Sequence, residues 1–494
     1  MVNDLKGLVG SNKGKAAGIV IILVAVAMGA YLLVKEEGEK EKGGEPGKEE
    51  MSAVEVLHPN FKVTNIPQAN NEPSIAVNPT DPLNIVAASN DYGTPRGDAW
   101  CGFYATFDGG KTWERGLVPG FDGDQNSDIG DFEGGGDPVL TFAPDGDCYL
   151  AGIVFQRDPN WGNLIKPGSG IFVARSTDGG RTFPQVSLVS RPSISNYITF
   201  HDKEWIAVDP TTGNVHVTWT IFNAFGLVGS FIVHSMSTDQ GRTWSWPPTI
   251  LSEITELERQ TQGSQVEVDS SGVIHVSWID FGREDLRYTR STDGGNSFSP
   301  TESIADVEPM PYNLPNAEYR TPTMCDMAVD TSGGRNDGAV YICWPDYSSG
   351  NADIMMIASL KGDGSFLSPV KVNNDTGQGD QFFPAICVGS DGSVQLIFYD
   401  RRDDPDNDLI SVYYAHSDNN GKNFTNLKWY DPDPGGFDGG STRGPFIGDY
   451  LAIAAGPTRT YGVWCDAREG TEEEVRSDIW GGIVRYLDEG QTES

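Results

Sequence analysis

Apolar and polar positions alternate with period two through most of the chain. "WIAVDPTTGNVHVTWTIF" (205–222), "QVEVDSSGVIHVSWIDF" (265–281) and "PAICVGSDGSVQLIFYD" (384–400) share one layout. Each has an alternating run, a turn rich in Gly, Asp, Ser or Thr, and a second alternating run, which predicts a β-hairpin. Four more segments read the same way: 73–91, 138–155, 323–346 and 450–466. A third strand, such as "FIVHSMS" (231–237), follows the hairpin, and a fourth follows after a short turn. Seven four-stranded units predict an all-β, seven-bladed β-propeller. Six blades is the alternative, if one terminal hairpin belongs elsewhere. The seventh unit lacks a fourth strand. "NFKVTNI" (60–66) has no other partner and would supply it, closing the circle and removing exposed edges.

The turn between third and fourth strands is itself a repeat. "TFDGGKTW" begins at Thr106, "STDGGRTF" at Ser176, "STDQGRTW" at Ser237 and "STDGGNSF" at Ser291. Eroded copies start at Ser359 and Ser417. Hydroxyl and carboxylate side chains bond turn backbone, Gly takes angles other residues avoid, and the final aromatic packs between sheets. These eight residues specify a fold and carry no reactive group.

The turns resemble the Asp-box, or BNR, repeats of the sialidase superfamily, and the hairpin repeats extend that resemblance over roughly residues 55–487. The resemblance implies a propeller whose Asp boxes are structural and whose opposite face meets the ligand. In that superfamily an Arg cluster grips the substrate carboxylate, a Tyr paired with Glu is the nucleophile, and an Asp is the acid/base. By position in the repeat, Arg320 and Arg443 are candidates for the grip. Tyr450 with Glu204 would form the nucleophile pair, and Asp137 or Asp202 the acid. The family's Arg-Ile-Pro signature has no counterpart here, since unit one reads "NEPSIAV". The motif also occurs in receptors and assembly factors, so it specifies the fold more closely than the reaction. A glycoside hydrolase, a glycan- or protein-binding propeller and a calcium-held envelope scaffold all stay open.

The polar residues just before each innermost strand support a site on the axis. They are Glu72, Asp137, Asp202 with Lys203 and Glu204, Gln265, Arg320, Asp380 with Gln381, and Asp449 beside Tyr450. A second acidic set ends the second strand or begins the third. Asp400, Asp408, Asp466 and Asp478 are its candidates for structural calcium, with oxygen ligands of the right type but no EF-hand spacing. Arg402 and Arg468 each lie two residues after an Asp of this set, which also fits bidentate ion pairs.

Residues 18–34 form an uncharged apolar run of 17, near the minimum for a membrane span. This divides the chain into a cytoplasmic tail (1–16), an anchor (17–34), a charged stalk (35–53), the propeller (54–488) and a short tail (489–494). Small residues at 27–29 leave a cleaved signal peptide, and hence a secreted protein, as the alternative. The net charge is −35. The first 50 residues hold 7 Lys and 8 acids, so the excess lies beyond them, and such a surface repels nucleic acid. The expected partner is a glycan or a cell-surface protein outside the cell. Six cysteines follow the anchor. Cys325 and Cys343 sit on runs that fold back near residue 334, which leaves open either a 325–343 disulfide or two buried thiols.

Overall fold

The computed structural model describes residues 54–94, 97–121, 127–158, 164–165, 169–190, 199–223, 229–253, 260–430, 446–469 and 477–486. The expected tail, anchor and stalk (1–53) and the tail at 489–494 lie outside them. Among the described residues no helix is long and apolar enough to cross a membrane.

Seven four-stranded antiparallel sheets follow one another. Blade 1 comprises Asn70–Val77, Ile85–Asp91, Trp100–Thr106 and Glu114–Leu117; blades 2 to 6 repeat this inner-to-outer order. Blade 7 takes Ala452–Ala455, Arg459–Asp466 and Asp478–Tyr486 from the end of the chain and its outer strand, Val54–Lys62, from the start. The closing strand therefore overlaps the expected segment only at its N-terminal end. Its register breaks between Leu57 and Phe61, a stretch that includes Pro59, which cannot donate to a ladder and is tolerated on an outer strand.

The second strands are buried on both faces because each lies between two sheets, and their Trp219, Trp278, Trp344 and Trp464 are fully buried. The repeated turn closes these seams. Ser176 Oγ donates to Asp178 Oδ1 (2.7 Å) and accepts from Gly180 N (2.9 Å). The other carboxylate oxygen accepts from Thr182 Oγ1 (2.6 Å). The pattern recurs at Asp108, Asp239 and Asp293, and with Asn419 in place of Asp. The eroded copy at Asp363 keeps only a local bond to Ser365 N (2.9 Å). Gly180 must be glycine, since its φ is +84° and a Cβ would lie 2.3 Å from Val86 Cγ2. The aromatic that ends each turn packs against the preceding blade: Phe183 of blade 2 meets Phe103 of blade 1 at 4.8 Å between centroids. Trp113, Trp244, Phe298, Phe366 and Phe424 serve five of the other seams, and Trp429, on the outer strand of blade 6, packs against Trp464 at the seam with blade 7.

The turn hydrogen bonds, first that from Thr243 Oγ1, lower the Asp239 carboxyl to about 2. A carboxyl depressed in the folded state adds stability above its unfolded value of about 3.9, and that stability is lost as pH falls through 2. Asp239→Asn keeps the bonding pattern, as Asn419 does, and removes the titration. The melting-temperature gap between wild type and Asp239→Asn is expected to shrink as pH falls from 5 to 2, in calorimetry; a constant gap would refute this.

All six cysteines are free thiols, and only Cys387 is not fully buried. The 325–343 disulfide is excluded by register. Cys343 pairs with Asp326, so Cys325 points to the opposite face of the sheet. Six thiols are expected to react with a chromogenic disulfide reagent in denaturant without reductant, and four would indicate a bridge.

Candidate functional site

The innermost strands share a device that the alternating pattern does not reveal. In five blades the strand carries a bulge, at Asn71/Ser74, Gly136/Val139, Asp202/Trp205, Gln262/Gln265 and Phe382/Ala385. Within it one residue turns left-handed: Glu72 (φ 52°), Asp137 (55°), Lys203 (49°), Gly263 (73°) and Phe383 (51°). Four of these are not glycine, and each such residue costs about 1–3 kcal/mol unless its surroundings hold it. At blade 7 Gly448 (φ 89°) just precedes the strand, and a Cβ there would lie 2.7 Å from Glu72 Cγ. That close approach brings Asp449 beside the bulge of blade 1.

The bulges bring charge together. Lys203 Nζ lies 2.8 Å from Glu72 Oε1, 2.9 Å from Asp137 Oδ2 and 2.8 Å from Asp449 Oδ2. One ammonium thus spends its three donors on carboxylates from blades 1, 2 and 7. Asn90 supports the cluster from the second strand of blade 1. Its Nδ2 donates to Glu72 Oε2 (2.6 Å) and its Oδ1 accepts from Asp137 N (2.7 Å). Arg320, from the loop entering blade 5, holds Asp449 with Nε and Nη2 at 2.7 and 2.6 Å. Its guanidinium lies 4.7 Å from the Phe446 ring.

Asp137, Lys203, Glu204, Gln265, Asp326, Asp449 and Tyr450 line one cavity on the axis. Glu204 is 2 % exposed, and neither of its carboxylate oxygens has a hydrogen-bond partner in another residue. The buried Tyr450 hydroxyl is also without a partner, and the Tyr450 ring lies 5.1 Å from Lys203 Nζ. Asp202 accepts from Gln262 Nε2 at 2.9 Å. A second chamber, lined by Glu267, Met327, Ile386 and Ile453, shares Val139, Trp205, Asp326 and Leu451 with the first.

Six acids, Glu72, Asp137, Asp202, Glu204, Asp326 and Asp449, face two bases here, and the excess favours proton uptake. Burial, then the Asp137 charge, pushes both Glu204 and Glu72 well above the usual carboxyl range. Burial and Asp137 raise Asp202 to about 7. Burial opposes charge on Lys203, but Asp137, Asp449, Glu72 and Asp202 together outweigh it and hold the ammonium well above its usual value. Burial likewise opposes charge on Asp449, and Lys203 with Arg320 outweigh it to hold Asp449 low. Burial and the surrounding carboxylates push the Tyr450 hydroxyl up. In the second chamber, burial raises Glu267 to about 8, with Asp326 adding to it, and Asp326 to about 7.

Several sequence expectations are met in part. Glu72, Asp137, Lys203, Glu204, Gln265, Asp449 and Tyr450 share the axial site, while Arg320 reaches it by way of Asp449. Arg443 lies outside the described residues. Glu204 and Tyr450 share a cavity wall but make no hydrogen bond to each other, and the phenol is held protonated. Asp380 and Gln381 do not join them. Asp380 accepts from Ala352 N (2.8 Å) and Asn407 Nδ2 (2.6 Å), and Gln381 bonds Asp400 (3.2 Å). The bulge of blade 6 falls later, at Phe383, so an aromatic occupies the place expected of an acid.

The four calcium candidates do not assemble. Asp400 is bound by Arg402 through Nε (2.7 Å) and Nη2 (2.6 Å), and Asp466 by Arg468 through Nε (2.8 Å). Asp478 meets Lys62 Nζ (2.8 Å) and Thr64 Oγ1 (3.1 Å). The Asp408 backbone N–H donates to Asp404 (2.9 Å). Asp400 and Asp408 belong to blade 6, Asp466 and Asp478 to blade 7. Among the described residues no group of three His, Cys, Asp or Glu could hold a metal.

Fold and site together define a seven-bladed β-propeller with a carboxyl-lined axial cavity. No protein-family model matches the chain, and no curated protein does. Solved structures of similar fold include a protein of unknown function from Dyadobacter fermentans (13% identity, TM-score 0.48, covering 88% of this chain and 100% of that one). The Hadza microbial sialidase Hz136 is similar at 13% identity and TM-score 0.46, covering 81% of this chain and 73% of that one. The GH93 α-L-arabinofuranosidase of Fusarium graminearum is similar at 12% identity and TM-score 0.45, covering 86% and 96%.

Proposed function

We propose that this propeller is a glycoside hydrolase whose reaction takes place in the axial cavity. One observation carries the reading: Glu204 is a buried carboxyl that no other residue hydrogen-bonds, it lines the cavity, and its surroundings favour the protonated form. A structural carboxylate is bonded; an unbonded, protonated one is suited to donate a proton. In the reaction Glu204 gives its proton to the glycosidic oxygen as the bond to the anomeric carbon breaks. Water forms the new bond to that carbon and yields a proton to Asp137, which is ion-paired to Lys203. Glycoside and water become sugar and alcohol, and exchange with solvent resets the two carboxyls. The acid role thus falls to Glu204 in preference to Asp137 or Asp202, and no phenolate nucleophile is required of Tyr450.

The apolar run at 18–34 supports a propeller displayed outside a membrane, where glycans are available. The test is incubation of the full chain with a panel of aryl glycosides. Product release from at least one substrate is expected, and its loss on Glu204→Gln. Sugar binding with no product from any substrate would mark a binding module and defeat the hydrolase reading.

A further inference from the structure

A cavity of about 370 Å³ opens between blades 4 and 5, on the face opposite the repeated turns. Its wall includes Trp344, Asp346, Ser348 and Met355 of blade 5. It shares no residue with the axial cavity. We infer that this second cavity binds a guanidinium group. The inference does not depend on the hydrolase reading.

The equivalent positions of blades 6 and 7 show what this space holds when it is filled. The second strands of blades 5, 6 and 7 end in Asp346, Asp400 and Asp466. Two residues further on, the chain has Ser348, Arg402 and Arg468. Arg402 Nε lies 2.7 Å from Asp400 Oδ2, and its guanidinium is 4.3 Å from the Tyr413 ring. Arg468 repeats this with Asp466 Oδ2 (2.8 Å) and the Trp480 ring (4.0 Å). Blade 1 reaches the same end from its outer strand, where Arg115 grips Asp91 at 2.8 and 2.9 Å. In blade 5 the register sets Met355 opposite Trp344, as Tyr413 stands opposite Phe398 and Trp480 opposite Trp464. Serine at 348 supplies no guanidinium, and the cavity opens at that place.

The carboxylate of blade 5 is held as its counterparts are. Asp346 Oδ1 accepts from Ser348 N (3.0 Å), as Asp400 and Asp466 accept from Arg402 N and Arg468 N (both 2.8 Å). Oδ2 is the oxygen that takes the guanidinium in blades 6 and 7. Here it accepts one backbone N–H, from Glu308 (3.0 Å), and a carboxylate oxygen has capacity for a second donor. Trp344 and Met355 give the cavity an apolar wall against which a flat cation can lie. Glu284, Asp306 and Glu308, all exposed, line the same cavity and add negative potential to it. Arg283, the cation among the described lining residues, is turned to Glu253 (2.5 Å). A planar guanidinium fits a carboxylate and an apolar face at once, which a compact ammonium does less well.

The experiment measures binding to the full chain by calorimetry and tryptophan fluorescence. The probes are butylguanidinium and a blocked Gly-Arg-Gly tripeptide, each beside its ammonium counterpart, butylammonium and blocked Gly-Lys-Gly. A guanidinium probe is expected to bind on the order of tenfold more tightly than its counterpart and to weaken as salt is added. Asp346→Asn is expected to weaken it roughly 10–100-fold, through loss of a charge-assisted bond. Ser348→Arg recreates the Asp-x-Arg pattern of blades 6 and 7. It is expected to abolish binding and raise the melting temperature, because its own guanidinium fills the cavity. Ser348→Leu, which fills the space without charge, is expected to abolish binding too and serves if the arginine variant does not fold. Butylguanidinium binding as tightly as the tripeptide assigns a small free compound; tighter tripeptide binding assigns an arginine of a partner protein. No binding of either guanidinium probe overturns the inference. Equal binding of the ammonium probes does so too, as does undiminished binding when position 348 is filled. Glycoside turnover is expected to be unchanged in the position-348 variants, so this inference and the hydrolase reading fail separately.

Discussion

Replacing Lys203 with Met is expected to destabilise the propeller by about 3–5 kcal/mol, the cost of leaving buried charges without their partner. Three carboxylates, Glu72, Asp137 and Asp449, converge on this one ammonium, and none is more than slightly exposed. Without it, Glu72 and Asp137 lose their ammonium partner, while Asp449 keeps Arg320. Strain adds to the effect, because the left-handed backbone at positions 72, 137 and 203 is held by the same contacts. The pH dependence is the diagnostic. In the variant Glu72, already raised by burial and by Asp137, loses the ammonium that lowers it, so its penalty grows at pH above its unfolded value and ceases as it protonates. The gap in melting temperature from wild type is therefore expected to be largest at pH 7–8 and to close towards pH 4. Calorimetry at one scan rate would measure it. A gap that does not change with pH would mean that Lys203 acts through packing alone.

Glu204→Gln is expected to lower kcat/KM on the susceptible glycoside by roughly 10²–10⁴-fold, the usual worth of a positioned general acid. The same change is expected to leave melting temperature at pH 7 equal or higher. Glu204 is raised in the folded state by burial and by Asp137, so its carboxyl lowers stability at pH above its unfolded value of about 4.3. Gln has no charge to desolvate, and its gain should fade as pH falls to 4. Loss of activity with retained or improved stability is the signature of a group kept for chemistry at the expense of the fold. Parallel loss of both would assign Glu204 a structural role.

The architecture was legible because each blade repeats the same constraints. The alternation in 205–222 or 265–281 has no other stable use than a hairpin, and the aromatic ending each turn, such as Phe183, needs an adjacent sheet to cover it. The axial residues were legible for the same reason, since their place in the repeat predicts their place around the axis. What failed was resolution of one or two residues. Which residue of an inner strand turns left-handed depends on the neighbouring blade, so Phe383 took the position that Asp380 and Gln381 were expected to hold. A shift of one residue separated Cys325 from Cys343. Asn90, which holds both Glu72 and Asp137, sits inside an ordinary strand and carries no sequence signal of its role. Asp400 and Asp466 show the opposite case, in which the arginines two residues on were visible and foretold the outcome.

The strand that completes blade 7 has a consequence for biosynthesis. Glu55 and Arg485, joined across its ladder, are 430 residues apart in the chain. At ordinary ribosomal speeds of about 5–20 residues per second, the first strand leaves the ribosome roughly 20–90 s before its partner exists. During that interval blade 1 presents an uncovered flank on which a second nascent chain could dock. Crowded polysomes should therefore favour exchange of this strand between neighbouring copies, and slower initiation should suppress it.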